Sequence, residues 1–177
     1  MNKEFWKILE KMDSYTYNHS IRVMQLAQMV EGELRLPDNH LSAAGLLHDI
    51  GKYYISSNIL DKHAELTPTE RQAVDFHSFY SYLTLSRFDF PPDICQMALL
   101  HHGPNPPVAS WFTVPEVDEH TKNRALMLQT IDMFEALTSD RPYHRRRTRE
   151  EAVNIITDSI KIYEPHTLCI LLSGEEV

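Results

Sequence analysis

Helix start and stop signals recur along the whole chain, and they constrain its fold more than any other feature. Two capping boxes, each a threonine followed three residues later by a glutamate, open helices at Thr67 and Thr148. Pro68, at the first helical position, strengthens the first of them. Between such signals apolar residues recur at helical intervals, and no stretch has the alternation of a strand. The sequence therefore predicts an all-α protein.

The other helices are predicted from an N-cap residue, an apolar period and a glycine or proline that ends it. The predicted helices are a short N-terminal helix and helices from Asp13 or Ser14 to about Leu36, from about Asp38 to Gly51, from Thr67 through His77, from Pro91-Pro92 to Gly103-Pro104, from Asn123 to Thr138 and from Thr148 onward. Residues 103–118 hold four prolines and no helical period. They are predicted to form a long loop that contributes to a substrate site.

Chain length and composition indicate one globular domain. The chain has 177 residues, and a domain of about 150 residues already buries roughly 70% of its unfolded surface. Apolar residues make up 42% and charged residues 24%, as in an ordinary globular protein. We expect a single domain over residues 1–177, with a motif-bearing core over about 14–160, a short N-terminal helix and a C-terminal tail.

Charge and hydropathy exclude several functional classes. A formal net charge of −8 disfavours general nucleic-acid binding, which requires clustered lysine and arginine. The first 13 residues carry charges where a signal peptide needs an apolar core, and no run of about 18 apolar residues occurs. Cys95 and Cys169 each lie in an apolar run, where a reduced thiol packs as a small hydrophobe. We therefore expect a cytoplasmic protein that does not span a membrane.

Ten histidines are a high share for this length. The pairs His48-Asp49 and His101-His102 fall at predicted helix ends, and Asp132 lies among apolar residues, where an unpaired carboxylate would be costly to bury. Intervals of about 25 to 30 residues allow an antiparallel bundle to project such side chains into one cavity. A histidine and carboxylate set without thiolate favours iron, manganese, cobalt, nickel or zinc. A histidine pair that caps a helix dipole is the alternative for His101-His102.

Several strings resemble one known family. LLHDIGK, over residues 46–52, resembles the signature of the HD-superfamily metal-dependent phosphohydrolases. IDMFEALTSDRPY, over residues 131–143, resembles the corresponding stretch of the HD-GYP subfamily. Between them NILDKHAELTPTE, a histidine at position 77 and LLHH follow in the family's order, so the resemblance covers about residues 14–160. It implies a single-domain helical bundle of the HD type and a phosphodiesterase that acts on a small phosphate ester or cyclic nucleotide, such as cyclic di-GMP.

The same resemblance implies a binuclear metal site. In the family pattern the ligands of one metal correspond to His19, His48, Asp49 and Asp132, and those of the second to His77, His101 and His102, with Asp49 bridging the two. Lys52 corresponds to the family's phosphate-contacting lysine, so Asp49 and Lys52 are the expected catalytic residues. Tyr15 stands where some members carry an acidic ligand of a third metal. We therefore expect two divalent ions, iron or manganese first and nickel, cobalt or zinc as alternatives.

The chain also departs from the HD-GYP pattern. Gly103 and PNPPVASWF follow the paired histidines in place of a glutamate and the Gly-Tyr-Pro triplet, while Ser81 and His144 replace a glycine and an arginine. Trp111 and Phe112 still offer an aromatic face for a base. These departures predict weak hydrolysis of cyclic di-GMP relative to simpler phosphodiesters.

Alternative interpretations stay open. A catalytically silent HD signalling domain would keep the metal cage and bind a nucleotide or protein partner, and the missing Gly-Tyr-Pro triplet supports it. A purely structural helical domain would leave the spaced ligands unexplained. A homodimer is a further expectation. The five arginines of residues 141–149 are more typical of a solvated face than of an anion site.

Overall fold

A computed structural model describes residues 3–110, 112–140, 145–160 and 162–174. Within these ranges the chain forms ten α-helices, two 3₁₀ turns and no strand, which confirms the predicted all-α class. The 3₁₀ turns are Ile50–Tyr54 and Pro107–Ser110. The helices are α1 (Lys3–Glu10), α2 (Ser14–Leu34), α3 (His40–Leu47), α4 (Ser57–Leu60), α5 (Pro68–Asp75), α6 (His77–Arg87), α7 (Pro92–Leu100), α8 (Glu119–Thr138), α9 (Arg149–Ser159) and α10 (Pro165–Ser173).

Helix α2 begins where the sequence predicts. The Asp13 carboxylate accepts a hydrogen bond from the backbone N–H of Thr16 at 2.8 Å, which satisfies one free donor of the first turn. A buried stripe that includes Val23 and Ala27 joins the core. Gly45 of α3 lets that helix approach α2 closely, since a Cβ at this position would lie 3.3 Å from the backbone of Met24.

The predicted role of Gly51 as the end of a helix is wrong. Helix α3 ends at Leu47, and Gly51 lies inside the 3₁₀ turn Ile50–Tyr54. A Cβ on Gly51 would collide with the carbonyl oxygen of His77 and with the backbone nitrogen of Ser81. Glycine is therefore required because the 3₁₀ turn packs directly against the backbone of α6.

The region predicted as one helix from Thr67 through His77 forms two helices. Its capping box is confirmed, because Thr67 Oγ1 accepts from the Glu70 N–H and the Glu70 side chain accepts from the Thr67 N–H. Helix α5 then ends at Asp75, and His77 is the first residue of α6. Phe76 between them keeps a right-handed helical conformation (φ −72°, ψ −10°), so no loop residue marks the break between the two helices.

The predicted loop over residues 103–118 and the expected C-terminal tail both contain regular structure. Residues 103–118 include the 3₁₀ turn Pro107–Ser110, and Val108 is fully buried. Asp118 then caps α8, which begins at Glu119, four residues earlier than predicted. The expected C-terminal tail includes α10, which packs on α8 and α2 and buries Leu171.

Helix packing brings the ends of several elements to one place. Helix α7 contacts α3, α6 and α8, while α2 contacts α3 and α8. The C-terminal ends of α3 and α7, the first residue of α6 and the middle of α8 thus surround one region. No helix among the described residues is both long and apolar enough to cross a membrane.

The two cysteines differ in their surroundings. Cys95 is buried in α7, as its apolar neighbours predict. Cys169 is exposed on α10, so the expectation that it packs as a core residue is wrong. Both thiols are free.

Candidate metal centre

The seven candidate ligands lie together although they come from five parts of the chain. His19 is in the second turn of α2, His48 and Asp49 follow α3, and His77 opens α6. The remaining three are His101 and His102, which follow α7, and Asp132 in α8. Nitrogen or oxygen atoms of these side chains form three overlapping groups in which all atoms lie within 4.8 Å of one another.

The first group consists of His19, His48 and Asp132. The Nε2 atom of His19 lies 3.0 Å from Asp132 Oδ1, and the Nε2 atom of His48 lies 3.8 Å from the same oxygen. Both histidines are buried, and only 16% of the Asp132 side chain is exposed. Two imidazoles and one carboxylate thus point at a common centre.

The second group consists of His77, His101 and His102. The Nε2 atom of His77 lies 3.2 Å from that of His101 and 3.1 Å from that of His102. His77 and His101 are buried, whereas His102 is exposed and marks the outer edge of the group.

Asp49 lies between the two groups, and each of its oxygens faces one of them. Asp49 Oδ2 lies 3.5 Å from His48 Nε2 and 3.7 Å from His19 Nε2. Asp49 Oδ1 lies 3.2 Å from His77 Nε2. The carboxylate is 2% exposed. A buried carboxylate with this orientation can bridge two cations.

Hydrogen bonds at the opposite ring nitrogen fix three of the imidazoles. The Nδ1 atoms of His48, His77 and His101 lie 2.8, 2.6 and 2.7 Å from the carbonyl oxygens of residues three positions earlier. A carbonyl only accepts, so each Nδ1 donates and each Nε2 of a neutral ring presents a lone pair. In His77 and His101 these lone pairs face each other. A cation between them removes their repulsion, so the donor set fits a metal.

The electrostatics of the site favour the protonation states that metal ligands need. Burial lowers the pKa of His77 to about 4 and holds the pKa of His101 well below its ordinary value. Burial opposes ionisation of Asp49, but Lys52 and the adjacent His48 keep the pKa of its carboxyl well below the usual range. Neutral imidazoles and an ionised carboxylate are the forms that coordinate divalent metals.

Glu135 is a part of the site that the sequence reasoning missed. Its Oε2 lies 2.5 Å from His19 Nδ1, and its Oε1 accepts a hydrogen bond of 2.5 Å from Nε of Arg22. Burial favours a neutral His19 ring, but hydrogen bonds to Asp132 and Glu135 outweigh it and raise the pKa of His19 to about 9. A metal would replace that proton on Nε2. The signal was present, because Glu135 lies one helical turn after Asp132 on the same face.

Lys52 lies at the mouth of the site. Its ammonium group is 2.5 Å from Asp49 Oδ2, and 24% of its side chain is exposed. The 3₁₀ turn that carries it is held to α6 by a hydrogen bond of 2.8 Å from the Gly51 N–H to Ser81 Oγ. Lys52 thus places a positive charge beside the ligands, within reach of an anion that enters from solvent.

Some departures from the HD-GYP pattern have structural reasons. Ser81, in place of glycine, accepts the hydrogen bond from Gly51. Gly103 has a φ of 119°, a conformation that favours glycine over the glutamate of the pattern. Phe112 packs on Phe79 with ring centroids 4.9 Å apart and is half-buried, so it offers only part of a face. Trp111, His144 and the Arg-Pro-Tyr triplet of residues 141–143 lie outside the described residues.

Comparison with known proteins identifies the family. The HD domain profile matches residues 16–137, well over half of the chain. The chain is 31% identical over 163 residues to the 3'3'-cGAMP-specific phosphodiesterase 3 of Vibrio cholerae, covering 88% of this chain and 34% of that protein. It is 30% identical over 161 residues to the cyclic di-GMP phosphodiesterase PA4108 of Pseudomonas aeruginosa, covering 89% of this chain and 38% of that protein. The chain belongs to the HD domain family. It spans little more than a third of the length of these two relatives.

The fold agrees with this assignment. The HD domain of phosphodiesterase PgpH from Listeria monocytogenes superposes with a TM-score of 0.68 at 18% sequence identity. The match covers 97% of this chain and 94% of that domain. The predicted HD-type helical bundle is therefore confirmed.

Proposed function

We propose that this chain is a metal-dependent phosphodiesterase that hydrolyses a phosphodiester bond of a cyclic dinucleotide at a two-metal centre. The observation that carries the proposal is the position of Asp49, whose two oxygens face two different groups of histidines. A chain built for one metal would need no carboxylate between two sets of imidazoles. Two relatives named as phosphodiesterases of cyclic dinucleotides support the substrate class.

Each metal has its own proposed ligands. Asp49 belongs to both sets; the first adds His19, His48 and Asp132, and the second adds His77, His101 and His102. Iron or manganese fits this nitrogen and oxygen set best, with nickel, cobalt or zinc as alternatives. A bound pair of such ions supplies a water of lowered pKa and stabilises charge on the phosphoryl oxygens.

The protein's own residues supply the rest of the mechanism. Lys52 donates to a phosphoryl oxygen of the substrate and stabilises the negative charge that grows there in the transition state. Glu135 holds His19 so that Nε2 points into the site. The carbonyl oxygens behind His48, His77 and His101 fix the other rings in the same way.

We further propose a cytoplasmic location, since the free thiols Cys95 and Cys169 suit a reducing compartment. The alternative function is a catalytically silent HD domain that binds metal and a nucleotide or protein partner. The observation that favours it is GPNPP after the paired histidines, where the Gly-Tyr-Pro triplet is missing.

The proposal is tested by metal analysis and turnover on the same preparation. Protein purified without chelator is expected to contain about two divalent ions per chain. With manganese or iron it should hydrolyse at least one of 3'3'-cGAMP and cyclic di-GMP, and chelation followed by dialysis should abolish the activity until metal is restored. Metal without turnover on any cyclic dinucleotide would instead support the silent domain. Protein without metal would contradict both.

A further inference from the structure

A cavity of about 790 Å³ lies beside the metal centre and is lined by none of its seven candidate ligands. Helix α2, the C-terminal end of α8 and the segment that enters α9 line it. Its charged lining residues are three carboxylates and five arginines, although the whole chain has a net charge of −8 and only 17 lysines and arginines. The arginines are Arg22, Arg145, Arg146, Arg147 and Arg149. Positive charge is thus concentrated at this cavity.

Arg22 presents donors to the cavity while it holds its neighbours. Its Nε donates to Glu135 Oε1 at 2.5 Å and to Ser139 Oγ at 3.1 Å. Among the described residues, none accepts a hydrogen bond from its two terminal nitrogens. The guanidinium group is therefore held in place at one side and retains the pair of parallel N–H groups that binds a phosphate with two hydrogen bonds.

Arg147 supplies a second guanidinium group. Its backbone N–H donates to the Leu137 carbonyl at 3.0 Å, which attaches this segment to α8. Its side chain is exposed at the cavity and makes no hydrogen bond or ion pair within the described part of the chain. The five arginines of the lining outnumber its three carboxylates, so the cavity keeps a surplus of positive charge that favours an anion.

We propose that this cavity binds the diphosphate group of a small molecule, at a site separate from the metal centre. Its volume lies within the roughly 300 to 1,000 Å³ of small-molecule sites. A basic cavity of this limited size on a chain of net negative charge favours a small phosphorylated ligand over a nucleic-acid backbone, which needs an extended basic surface. The proposal does not depend on phosphodiesterase activity.

The geometry makes the two sites separable. Arg22 contacts Glu135 through Nε and would bind the anion through its terminal nitrogens. Glu135 therefore keeps its contact with His19 when the cavity is filled. Occupancy of the cavity should leave the metal ligands in place, and loss of metal should leave the cavity able to bind.

Calorimetric titration of the full chain with inorganic pyrophosphate, in parallel with ADP, tests the proposal. Arg147→Ala should weaken pyrophosphate binding at least tenfold, and Arg22→Met should weaken it as well. Arg71→Ala is the matched control, because it removes the same charge from the exposed face of α5 and should bind as the wild type does. Circular dichroism verifies that each variant keeps its helices.

The Asp49→Ala variant tests whether pyrophosphate binds in the cavity or at the metal centre. Retained pyrophosphate binding in that variant supports the cavity, whereas lost binding would locate the anion at the metal ligands and overturn the proposal. Equal affinity in Arg147→Ala and wild type, or no binding to the wild type at millimolar pyrophosphate, would overturn it too. If ADP binds more tightly than pyrophosphate, the natural ligand is a nucleotide. If the two bind equally, the cavity recognises the phosphates alone. A protein that binds a single-stranded oligonucleotide but neither pyrophosphate nor ADP would contradict the proposal.

Discussion

Asp49 differs from Asp132, the other carboxylate among the candidate ligands, in how its oxygens are used. Asp132 is approached by His19 and His48 through one oxygen, Oδ1, whereas Asp49 directs one oxygen to each histidine group. Lys52 also lies against Asp49 Oδ2. Removal of this carboxylate therefore affects both halves of the centre, and no other acidic group stands between them in the described residues.

Asp49→Ala is expected to lose at least most of the bound metal, because both proposed ions lose a ligand and the histidine rings lose the negative charge between them. The measurement is elemental analysis of the purified variant. Asp158→Ala, an exposed aspartate on α9, is the matched control and should retain the wild-type metal content. Stoichiometric metal in Asp49→Ala would show that the ligand assignment is wrong.

Lys52→Ala should leave the metal content unchanged and lower kcat/KM by about a hundredfold, the scale of one lost transition-state contact. The reason is that Lys52 contacts Asp49 from the solvent side and is not itself a ligand. Lys122→Ala, an exposed lysine at the start of α8, controls for the loss of one positive charge. Equal turnover in Lys52→Ala and wild type would exclude Lys52 from the mechanism.

At the scale of elements, the site depends on how closely the 3₁₀ turn Ile50–Tyr54 packs against α6. Gly51 touches the backbone of α6 beside His77, and its N–H donates to Ser81. The same contact thus fixes Lys52 on the turn and His77 on the helix. A substitution in this turn should therefore alter metal binding at the centre.

Gly51→Ala is expected to destabilise the fold by about 1–3 kcal/mol, as overpacked side chains do, and to reduce metal binding. The added Cβ meets backbone atoms, which cannot move aside as a flexible side chain would. Gly32→Ala is an informative control, because no atom lies within 4 Å of its added Cβ. Gly32 lies in α2, so this change should stabilise the protein by about 0.5–1 kcal/mol. Chemical denaturation measures both, and a Gly51→Ala protein as stable as the wild type would contradict the packing argument.

A second contact between elements joins α8 to the start of α3. Arg124 on α8 is 1% exposed and donates to both oxygens of Asp38, at 2.8 and 3.1 Å. Asp38→Asn should lower the free energy of unfolding by about 1.5–3 kcal/mol, since a buried guanidinium loses a charged acceptor. Asp93 keeps its ion pair with Arg124 at 3.7 Å in this variant, but at that distance it does not replace the two lost hydrogen bonds.

The same pair predicts a pH dependence. The hydrogen bond from Arg124 lowers the pKa of Asp38 below its ordinary value of 3.8. The pair therefore contributes its full stability above that value and loses it as the pH falls through the lowered pKa. The difference in unfolding free energy between wild type and Asp38→Asn should be largest near neutral pH and shrink below about pH 4. A difference that grows on acidification would contradict this assignment.

Sequence patterns predicted the starts of helices better than their ends or their breaks. Thr67 and Thr148 cap their helices as expected, because the signal for a capping box lies within four consecutive residues. The break between α5 and α6 was missed because Phe76 keeps a helical conformation and interrupts no period. The reason for Gly51 was also missed, since it depends on the backbone of α6, which is distant in sequence.

At the scale of the whole molecule, no single element contains either ligand group. The first group combines α2, the end of α3 and α8, and the second combines α6 and the end of α7. Short motifs pointed to these candidate ligands because each motif carries its own histidine or aspartate. Glu135 and Arg22 are not among the residues that these motifs mark. Only the packing of α2 on α8 brings them together with His19.

The segment between α7 and α8 follows the second histidine group directly and bears on substrate choice. It is anchored rather than loosely attached, because Val108 and Val117 are buried and Phe112 packs on Phe79. Gly103 at its start adopts a positive φ. A segment held in this way cannot readily rearrange to supply the polar groups that a missing Gly-Tyr-Pro triplet would provide.

We therefore expect only a limited preference for cyclic di-GMP over an unspecific phosphodiester. Discrimination between such substrates requires fixed hydrogen-bonding groups that are left unpaired by the wrong ligand, whereas the buried part of this segment is apolar. The measurement compares kcat/KM for cyclic di-GMP, 3'3'-cGAMP and an aryl phosphodiester on the same metal-loaded protein. The kcat/KM for either dinucleotide should exceed that for the aryl ester by less than about a thousandfold. That factor corresponds to roughly 4 kcal/mol of differential transition-state binding. A larger ratio for cyclic di-GMP would show that the anchored segment, with its altered sequence, still recognises guanine.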